Sequence, residues 1–196
     1  MKNTFGAIIL SGGKSERMNY PKAFLEIHGV TFLQKLANTY NKEVSEIVVV
    51  LNQELSESKW KKKIEAIDKT CKIVLNHHSD KGKFYSLQLG AKNISSDYCF
   101  IQNVDNPFVN PSLLNELIQN KNLNGITIPV SNRKSGHPIL VSKNVLEKIS
   151  ITEDTNIHLK DFYAAFSKKF VEVDDESALM NINTPEDYEK YVAVKS

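Results

Sequence analysis

The sequence predicts an α/β protein with a mostly parallel central sheet, because short apolar runs alternate with segments of helical periodicity along most of the chain. The runs Phe5 to Leu10 and Ile47 to Leu51 are continuous and apolar, as in strands that are buried on both faces. Between them, apolar residues recur at helical spacing from Phe32 to Tyr40. With 196 residues, of which 41% are hydrophobic, the chain is long enough for a substantial core. We therefore expect a single domain over residues 1–196.

The remaining elements continue the same alternation. Further strands are predicted at Lys72 to Leu75, Tyr98 to Gln102, Ile126 to Val130, 137–142 and 170–173. Further helices are predicted over 56–69, Ser86 to Ile94, Pro111 to Gln119, near 157–166 and from Pro185 to Val192. Two of these helices have proline at the first position, which is a favoured start, and Thr184 is a suitable N-cap for the last. The alternation becomes irregular after Pro129, and residues 150–169 are mostly polar.

Composition and charge exclude several classes of protein. The chain carries 25 Lys and Arg residues against 23 Asp and Glu, so its net charge of +2 is too balanced for a dedicated nucleic-acid binder. The cysteines, Cys71 and Cys99, form neither a disulfide framework nor a zinc-binding pattern. The apolar run from Ala7 to Leu10 is too short for a signal peptide or a membrane span. We expect a cytoplasmic protein that binds neither nucleic acid nor membrane, in which Lys59 to Lys63 solvate a helix face around a docked Trp60.

The loops that follow the strands are the expected location of a binding site. In a parallel sheet the carboxyl ends of the strands share one edge, and ligands bind in the crevice there. We therefore expect the site at the loops that follow Leu10, Leu51, Leu75, Gln102 and Val130.

The loop after the first strand has the composition of a phosphate cradle. Gly12 and Gly13 allow the backbone to approach a ligand closely and to turn its N–H groups toward an anion. Three positive charges follow within nine residues, on Lys14, Arg17 and Lys22. The loop is not a P-loop, which disfavours a GTPase or a kinase, because that motif needs a glycine where Ile8 stands. An ordinary glycine-rich turn with solvated lysines is the alternative interpretation.

An aspartate follows the predicted strand that ends at Gln102. Asp105 lies just beyond the carboxyl end of that strand, where a carboxylate can ligate a hard divalent cation together with phosphate. The Asp-Asn-Pro sequence is also a common turn, so a simple turn is the alternative. The acidic segment 174–176 is either a source of a further carboxylate or a solvated loop.

The segment from Ala7 to Met18, with Pro21 to Leu25 after it, resembles the signature of MobA/MocA-type nucleotidyltransferases of the GT-A-like superfamily. The resemblance covers nearly the whole chain. It implies a three-layer α/β/α fold, Rossmann-related, of the nucleotide-diphospho-sugar transferase type. It also implies that the backbone of the first loop binds the nucleotide, over Leu10, Ser11, Gly12, Gly13, Lys14 and Ser15. Arg17 and Lys22 are implied as catalytic residues that hold the phosphates.

Later motifs occur in the order of that family. Asp105 is similar to the aspartate of a D-x-P motif, which implies a catalytic role as ligand of Mg²⁺. Gly82 and Ser86 are implied as nucleotide contacts, although serine at a predicted helix start is also a common N-cap. Contacts to the acceptor are implied for a G-H-P segment, Gly136, His137 and Pro138. Asn183 stands at the position of a second metal ligand, where an amide oxygen is a weaker ligand than a carboxylate.

These motifs leave the nucleotide base open between CTP and GTP. The pair Gly12 and Gly13, together with Asn181 and Asn183, is similar to the guanylyl branch of the family. The segment 136–138 is instead similar to the cytidylyl branch, so the two ends of the site favour different bases.

The resemblance implies a Mg²⁺-dependent nucleotidyltransferase that moves a nucleotidyl group from CTP or GTP to a small phosphorylated acceptor and releases pyrophosphate. Molybdopterin is the acceptor that the resemblance favours, and a sugar or polyol phosphate is the alternative within the same enzyme class. A non-catalytic, nucleotide-binding regulatory protein is the alternative from another class, because Asn181 and Asn183 stand where the cytidylyl branch has aspartate.

Overall fold

The computed structural model describes residues 3–12 and 16–192, and its central feature is an 8-stranded sheet. The strands along the chain are β1 (Phe5–Ser11), β2 (Glu26–Ile27), β3 (Val30–Thr31), β4 (Glu46–Asn52), β5 (Lys72–Asn76), β6 (Tyr98–Asn103), β7 (Ile126–Ser131), β8 (Lys134–Ser135), β9 (Ile139–Ser142) and β10 (Lys168–Glu172). The large sheet has the order β10-β7-β9-β6-β1-β4-β5, with β8 paired to β7, whereas β2 and β3 form a separate hairpin. β1 is parallel to both of its neighbours, and β9 is antiparallel to both of its own. The expected mostly parallel sheet is confirmed.

Helices cover both faces of this sheet. They are α1 (Phe32–Tyr40), α2 (Lys61–Asp68), α3 (Gly82–Ala91), α4 (Pro111–Gln119), α5 (Lys143–Ile151), α6 (Leu159–Ala164) and α7 (Pro185–Val192). Successive residues of β1 point to opposite faces, so Ala7 and Ile9 pack with α1 and α4, whereas Ile8 and Leu10 pack with α3 and α5. The three-layer α/β/α expectation is therefore confirmed. Within the described residues, no helix is long and apolar enough to cross a membrane.

The order of the strands creates a crevice beside β1. After β1 the chain builds β4 and β5 on one side, and it then returns to build β6 on the other side. The connections that leave the carboxyl ends of β1 and β6 therefore diverge, and the space between them is where open α/β sheets bind ligands.

Two helices begin where the sequence predicts. The N-cap of α4 is Asn110, whose Oδ1 accepts a hydrogen bond from the Leu113 N–H at 3.1 Å. At the start of α7, Thr184 Oγ1 accepts a hydrogen bond from the Asp187 N–H at 3.2 Å. Each cap satisfies an N–H group that has no partner inside the helix, and proline occupies the first helical position in both cases.

Helix α3 begins earlier than predicted, and the interpretation of Ser86 as an N-cap is wrong. The helix begins at Gly82, whose φ of 80° allows the chain to leave the preceding turn. Ser86 lies buried inside the helix, where its Oγ accepts a hydrogen bond from Asn76 Nδ2 at 2.9 Å. Serine is a residue type that often caps helices, but here the helix starts at the glycine that can adopt the positive φ of the preceding turn.

Two further elements differ from the prediction. Helix α5 was not anticipated, because it follows β9 without a glycine or proline to separate strand from helix. Its Val145, Leu146 and Ile149 are buried at helical spacing in the same cluster as α3. The helix predicted over 56–69 is confined to α2, and short 3-10 turns precede it. The polar sequence of these turns is similar to that of a surface helix, so periodicity alone does not distinguish the turns from the helix.

Asp175 is expected to contribute to stability in a pH-dependent way. Its carboxylate accepts hydrogen bonds from the Ser177 N–H, at 2.8 Å, and from Asn110 Nδ2. Burial raises the pKa of Asp175, but hydrogen bonding from Ser177 and Asn110 outweighs burial and lowers the pKa below its ordinary value of 3.8. Because the pKa is lower in the folded state, the contribution is complete above the unfolded pKa and is lost as pH falls through the folded pKa.

We expect Asp175→Ala to lower the free energy of unfolding at pH 7 by about 1 kcal/mol, since the carboxylate is only half-buried. The difference from the unmodified protein should shrink below pH 3.8, as measured by urea unfolding between pH 2.5 and 7. Asp174→Ala, at the exposed neighbouring position, is the matched control. A difference that stays constant over this pH range would contradict the prediction.

Candidate active site

A cavity of about 630 Å³ lies at the carboxyl ends of β1 and β6. Residues of the first loop and the turns after it line one part of the cavity, namely Leu10, Ser11, Gly12, Arg17 and Lys22. Residues from later in the chain line the rest, including Gly82, Ser86, Asp105 and Asn183. Gly13, Lys14 and Ser15, which were also predicted to bind the nucleotide, lie outside the described residues. The structure thus brings together predicted residues from four separate segments.

Lys22 connects the two predicted metal ligands. Its Nζ donates a hydrogen bond to Asn183 Oδ1 at 2.8 Å and lies 4.0 Å from Asp105 Oδ2. The Lys22 side chain is only 13% exposed, and desolvation lowers its pKa, with Asp105 opposing and Arg17 adding to the effect. An ammonium group held in this way is partly desolvated, so it interacts strongly with an anion that enters the cavity.

Asp105 is held from the backbone while part of its carboxylate remains available. The Asp105 carbonyl oxygen accepts a hydrogen bond from the Ile182 N–H at 2.8 Å, which connects it to the segment before α7. The neighbouring Asn106 is fully buried, and its Nδ2 donates to the Ser177 carbonyl oxygen at 2.9 Å. Asp105 Oδ1 is buried and has no hydrogen-bond partner within the part of the chain that the structure describes. A buried, unpaired carboxylate oxygen is costly unless a ligand satisfies it.

Buried amide groups under this loop were missed by sequence analysis. Gln102 Nε2 donates to the carbonyl oxygens of Asn103, at 2.7 Å, and Asn106, at 3.0 Å. Gln102 Oε1 in turn accepts a hydrogen bond from the Tyr40 hydroxyl at 2.9 Å, and burial raises the pKa of Tyr40 well above its usual range. The loop that carries Asp105 is therefore supported by a satisfied polar network. The signal that could have revealed it is an amide residue at the end of an otherwise apolar strand.

Gly12 is required by close packing at the cavity wall. A Cβ atom at this position would lie 2.8 Å from Ser86 Oγ, which is closer than van der Waals contact permits. Ser86 cannot move away freely, because it is buried in α3 and bonded to Asn76. The backbone of the first loop therefore approaches α3 closely, and the N-terminal end of α3 faces the same cavity.

Asn183 is positioned by the start of α7. The N–H groups of Asn183 and Thr184 both donate to Asp187 Oδ2, at 2.9 and 3.0 Å. These hydrogen bonds, the one from Asn183 first, lower the pKa of Asp187. The capping arrangement of α7 thus fixes the backbone of the residue whose side chain contacts Lys22.

Several lining residues were not predicted from the sequence, namely Pro21, Leu55, Ser79, Lys83, Asn103 and Val104. Each of them lies in or next to a loop at the carboxyl end of β1, β4, β5 or β6, as the expectation for parallel sheets requires. Lys83 stays accessible to solvent, yet desolvation of its ammonium lowers its pKa, with Asp105 opposing. Lys83 therefore adds a positive charge to the cavity. Its place directly after Gly82, which was itself a predicted site residue, is the sequence signal that could have indicated this. The loop after Val130 does not contribute, because β9 separates β7 from β6.

The predicted acceptor segment lies beside the cavity rather than among its lining residues. Gly136 is packed against Ala178, where a Cβ atom would lie 2.4 Å from the carbonyl oxygen, and Pro138 is buried. His137 is half-buried, with its Nε2 3.3 Å from Asn103 Nδ2. Burial and the nearby Lys83 lower the pKa of His137, whereas Asp105 opposes this effect. The lowered pKa favours a neutral imidazole. A role for these residues in acceptor binding stays a prediction.

The donor set around Asp105 fits a hard divalent cation. Mg²⁺ is usually bound through one or two carboxylates, with phosphate oxygens and water completing its coordination. Asp105 supplies a carboxylate with a buried, unpaired Oδ1, and Asn183 supplies an amide oxygen. Lys22 contacts both groups. Asn183 could therefore ligate a cation only after the hydrogen bond between its Oδ1 and the Lys22 ammonium had broken.

A cavity at the switch point of a mostly parallel sheet, lined by lysines, an arginine and a carboxylate, is typical of α/β proteins that bind phosphorylated ligands. Comparison with known families identifies which class of protein this is. The chain belongs to the family of the MobA-like NTP transferase domain, whose model matches residues 7–168, and it is a nucleotidyltransferase. The resemblance found in the sequence is therefore confirmed, and the non-catalytic alternative is not supported.

Individual relatives agree with this assignment. A probable molybdenum cofactor guanylyltransferase of Natranaerobius thermophilus is 26% identical over 208 residues, covering 97% of this chain and 96% of the relative. A 4-diphosphocytidyl-2C-methyl-D-erythritol synthase of Anaerococcus prevotii has a TM-score of 0.76 at 20% identity, covering 98% and 96% of the two chains. A Mycobacterium tuberculosis protein solved with manganese has a TM-score of 0.74 at 16% identity, covering 98% of this chain and 99% of that one. At these identities the two structural likenesses show the shared fold.

Proposed function

We propose that this protein transfers a guanylyl group from GTP to the phosphate of a small acceptor and releases pyrophosphate. The observation that carries the proposal is the contact of Lys22 with both Asp105 and Asn183 inside the cavity. Guanine is supported by the glycine pair of the first loop and by the relative that is named a guanylyltransferase. The resemblance in the sequence, together with the molybdenum cofactor in the name of that relative, makes molybdopterin the first acceptor to test.

The reaction asks little covalent chemistry of the side chains. A phosphate oxygen of the acceptor attacks the α-phosphorus of GTP, the new P–O bond forms, and the bond to the β-phosphate oxygen breaks. The electron pair of that bond leaves with pyrophosphate, and an acceptor phosphate that is already ionised needs no general base. Catalysis then rests on positioning and on neutralising charge, as in other phosphoryl and nucleotidyl transfers.

The cationic residues are assigned to the phosphates. Lys22 and Arg17 line the cavity beside the first loop, where they would offset the charge that develops on the leaving pyrophosphate. Lys83 is assigned to the same role from the side of α3. Gly82 and Ser86 lie on this wall of the cavity and are proposed to contact the nucleotide.

Asp105 is proposed to hold a divalent cation, with Asn183 as a second oxygen ligand. When bound there, such a cation would supply Lewis-acid stabilisation of negative charge around the α-phosphate. Mg²⁺ is the proposed ion because the donors are hard oxygens. The protein contribution is to hold Asp105 in place through Asn106, Gln102 and the Ile182 N–H.

CTP and a sugar or polyol phosphate form the second candidate pair of substrates. The G-H-P segment over 136–138 favours it, because this segment is similar to that of cytidylyl enzymes. Asn103, which contacts His137, lines the cavity, so the segment adjoins the site without entering it.

Ligand-dependent thermal stability distinguishes the two candidates. We expect GTP with Mg²⁺ at 100 times its dissociation constant to add about 2.7 kcal/mol to the free energy of unfolding. For a chain of this size, that corresponds to a rise in Tm of roughly 5 to 10 °C. ATP, CTP and UTP, each with and without Mg²⁺, are the comparison ligands.

A shift with CTP instead of GTP would assign the protein to the second candidate. If no nucleoside triphosphate at millimolar concentration raised Tm, the proposed function would be wrong. Release of pyrophosphate from GTP that depends on added molybdopterin would then identify the acceptor, and a sugar phosphate serves as the comparison acceptor.

A further inference from the structure

The segment that carries Lys22 is held by contacts from α2 and the turn before it. This segment, residues 20–26, follows the first loop and leads into the hairpin of β2 and β3. Its Pro21 and Lys22 line the cavity, whereas its Ala23 and Phe24 are buried on the other side. The orientation of Lys22 therefore depends on how firmly the two flanks of this short segment are fixed.

Trp60 packs against the aromatic residues of the segment. Its ring stacks on that of Phe24 with centroids 4.7 Å apart and an interplanar angle of 23°. The ring of Tyr20 meets Trp60 edge-on, with centroids 5.3 Å apart at 85°. One aromatic side chain thus contacts the segment on both sides of Lys22.

Lys63, within α2, binds the same segment through polar contacts. Its Nζ donates to Glu26 Oε1 at 2.8 Å, to the Phe24 carbonyl oxygen at 3.3 Å and to the Tyr20 hydroxyl at 3.3 Å. The ammonium also lies 5.9 Å from the ring centroids of both Tyr20 and Trp60. The hydrogen bond to Glu26, above all, raises the pKa of Lys63, so the residue is charged at neutral pH.

The other side of the segment is fixed by helix α7. The Tyr188 hydroxyl donates to the Glu26 carbonyl oxygen at 2.7 Å, and Tyr188 belongs to α7, whose start positions Asn183. Lys22 is therefore connected to Asn183 both through its ammonium and through the backbone that Tyr188 holds. Residues 20–26 lie between two independently anchored elements.

We propose that Trp60 and Lys63 are positioning residues for Lys22, holding residues 20–26 so that the Lys22 ammonium stays directed at the phosphates of the bound nucleotide. The lysine-rich segment 59–63 is thus more than the solvated helix face that the sequence predicts. This inference rests on the proposed role of Lys22.

A purely structural role would have a different consequence. The Lys63 and Glu26 side chains are 30% and 45% exposed, and an ion pair at such exposure contributes little to global stability. We therefore expect Lys63→Met to leave Tm nearly unchanged. Loss of positioning, in contrast, would weaken nucleotide binding through Lys22 even in a stable protein.

The test is a double-mutant cycle on the full chain, with GTP and Mg²⁺ as the probe and the dissociation constant as the readout. Lys63→Met should weaken GTP binding about tenfold when Lys22 is present and by less than twofold in a Lys22→Met background. Lys63→Arg, which keeps a charged donor, should restore most of the affinity. Lys62→Met, at an exposed position of the same helix, is the matched control and should bind GTP like the unmodified protein.

Trp60→Leu provides a second variant, since it removes the stacked ring without altering the lysine. It should show the same dependence on Lys22. Equal losses of affinity in both Lys22 backgrounds, or no loss from either variant, would overturn the inference while the proposed function stood. If GTP failed to bind the unmodified protein but CTP bound, the cycle would be measured with CTP. If neither bound, both the proposed function and this inference would be wrong.

Discussion

Asp105→Ala is expected to lower kcat/KM for nucleotidyl transfer by roughly 100-fold or more, an effect comparable to the loss of a strong electrostatic contact in a transition state. The reason is that Asp105 supplies the carboxylate of the proposed cation site, with a buried Oδ1 that lacks a partner among the described residues. The rate of pyrophosphate release, measured at several Mg²⁺ concentrations, checks this. The half-saturating Mg²⁺ concentration should also rise.

Two further variants separate charge from shape at this position. Asp105→Asn keeps the size of the side chain but removes its charge, so a loss close to that of alanine would indicate that charge matters. Asp174→Ala removes an exposed carboxylate near the same segment and should leave the rate within about twofold, as for most surface positions. Near-native turnover by Asp105→Ala would remove this residue from the proposed cation site.

Lys22→Met is expected to reduce kcat/KM by about 100-fold, because a partly desolvated ammonium would no longer face the phosphates. The effect on the divalent cation should have the opposite sign to that of Asp105→Ala. Lys22 lies 2.8 Å from Asn183 Oδ1 and 4.0 Å from Asp105 Oδ2, so its removal frees both oxygens and removes a competing positive charge. The half-saturating Mg²⁺ concentration should therefore stay the same or fall.

This prediction is checked by kinetics at varied Mg²⁺ and GTP concentrations and by the dissociation constant of GTP. Lys92→Met, at an exposed position after α3, is the matched control and should have little effect. If Lys22→Met raised the Mg²⁺ requirement as Asp105→Ala does, the contact between Lys22 and the two oxygens would be supporting the cation site, and the assigned role would be wrong.

Much of the fold was predictable because its signals are local. The runs around Ile9 and Val49 are continuous and apolar, and each forms a strand buried on both faces, as periodicity predicts. Helices α4 and α7 begin at the predicted prolines, and Thr184 caps α7 as expected. Helix α5 escaped prediction because no turn residue separates it from β9, and β2 with β3 escaped because strands of two residues carry almost no periodicity.

The candidate site likewise has residues that sequence motifs predict and contacts that they do not predict. Gly12, Lys22 and Asp105 lie in motifs that can be found in the chain, and the cavity does contain them. The support beneath Asp105 could not be found in this way, because Gln102, Asn106 and Tyr40 come together only through the packing of β6 on α1. The contacts of Lys63 with residues 20–26 likewise join segments with no pattern in common.

The amino-acid sequence by itself determined the alternation of strands and helices, most of the loops that line the cavity and the family to which the chain belongs. These depend on the order and spacing of residue types, which are properties of short segments. Only the tertiary structure decided that Lys22 contacts Asn183 and Asp105, that the 136–138 segment lies beside the cavity, and that Trp60 and Lys63 hold the segment around Lys22. Such contacts depend on distances between side chains far apart in the chain, which are set by the packing of helices on the sheet.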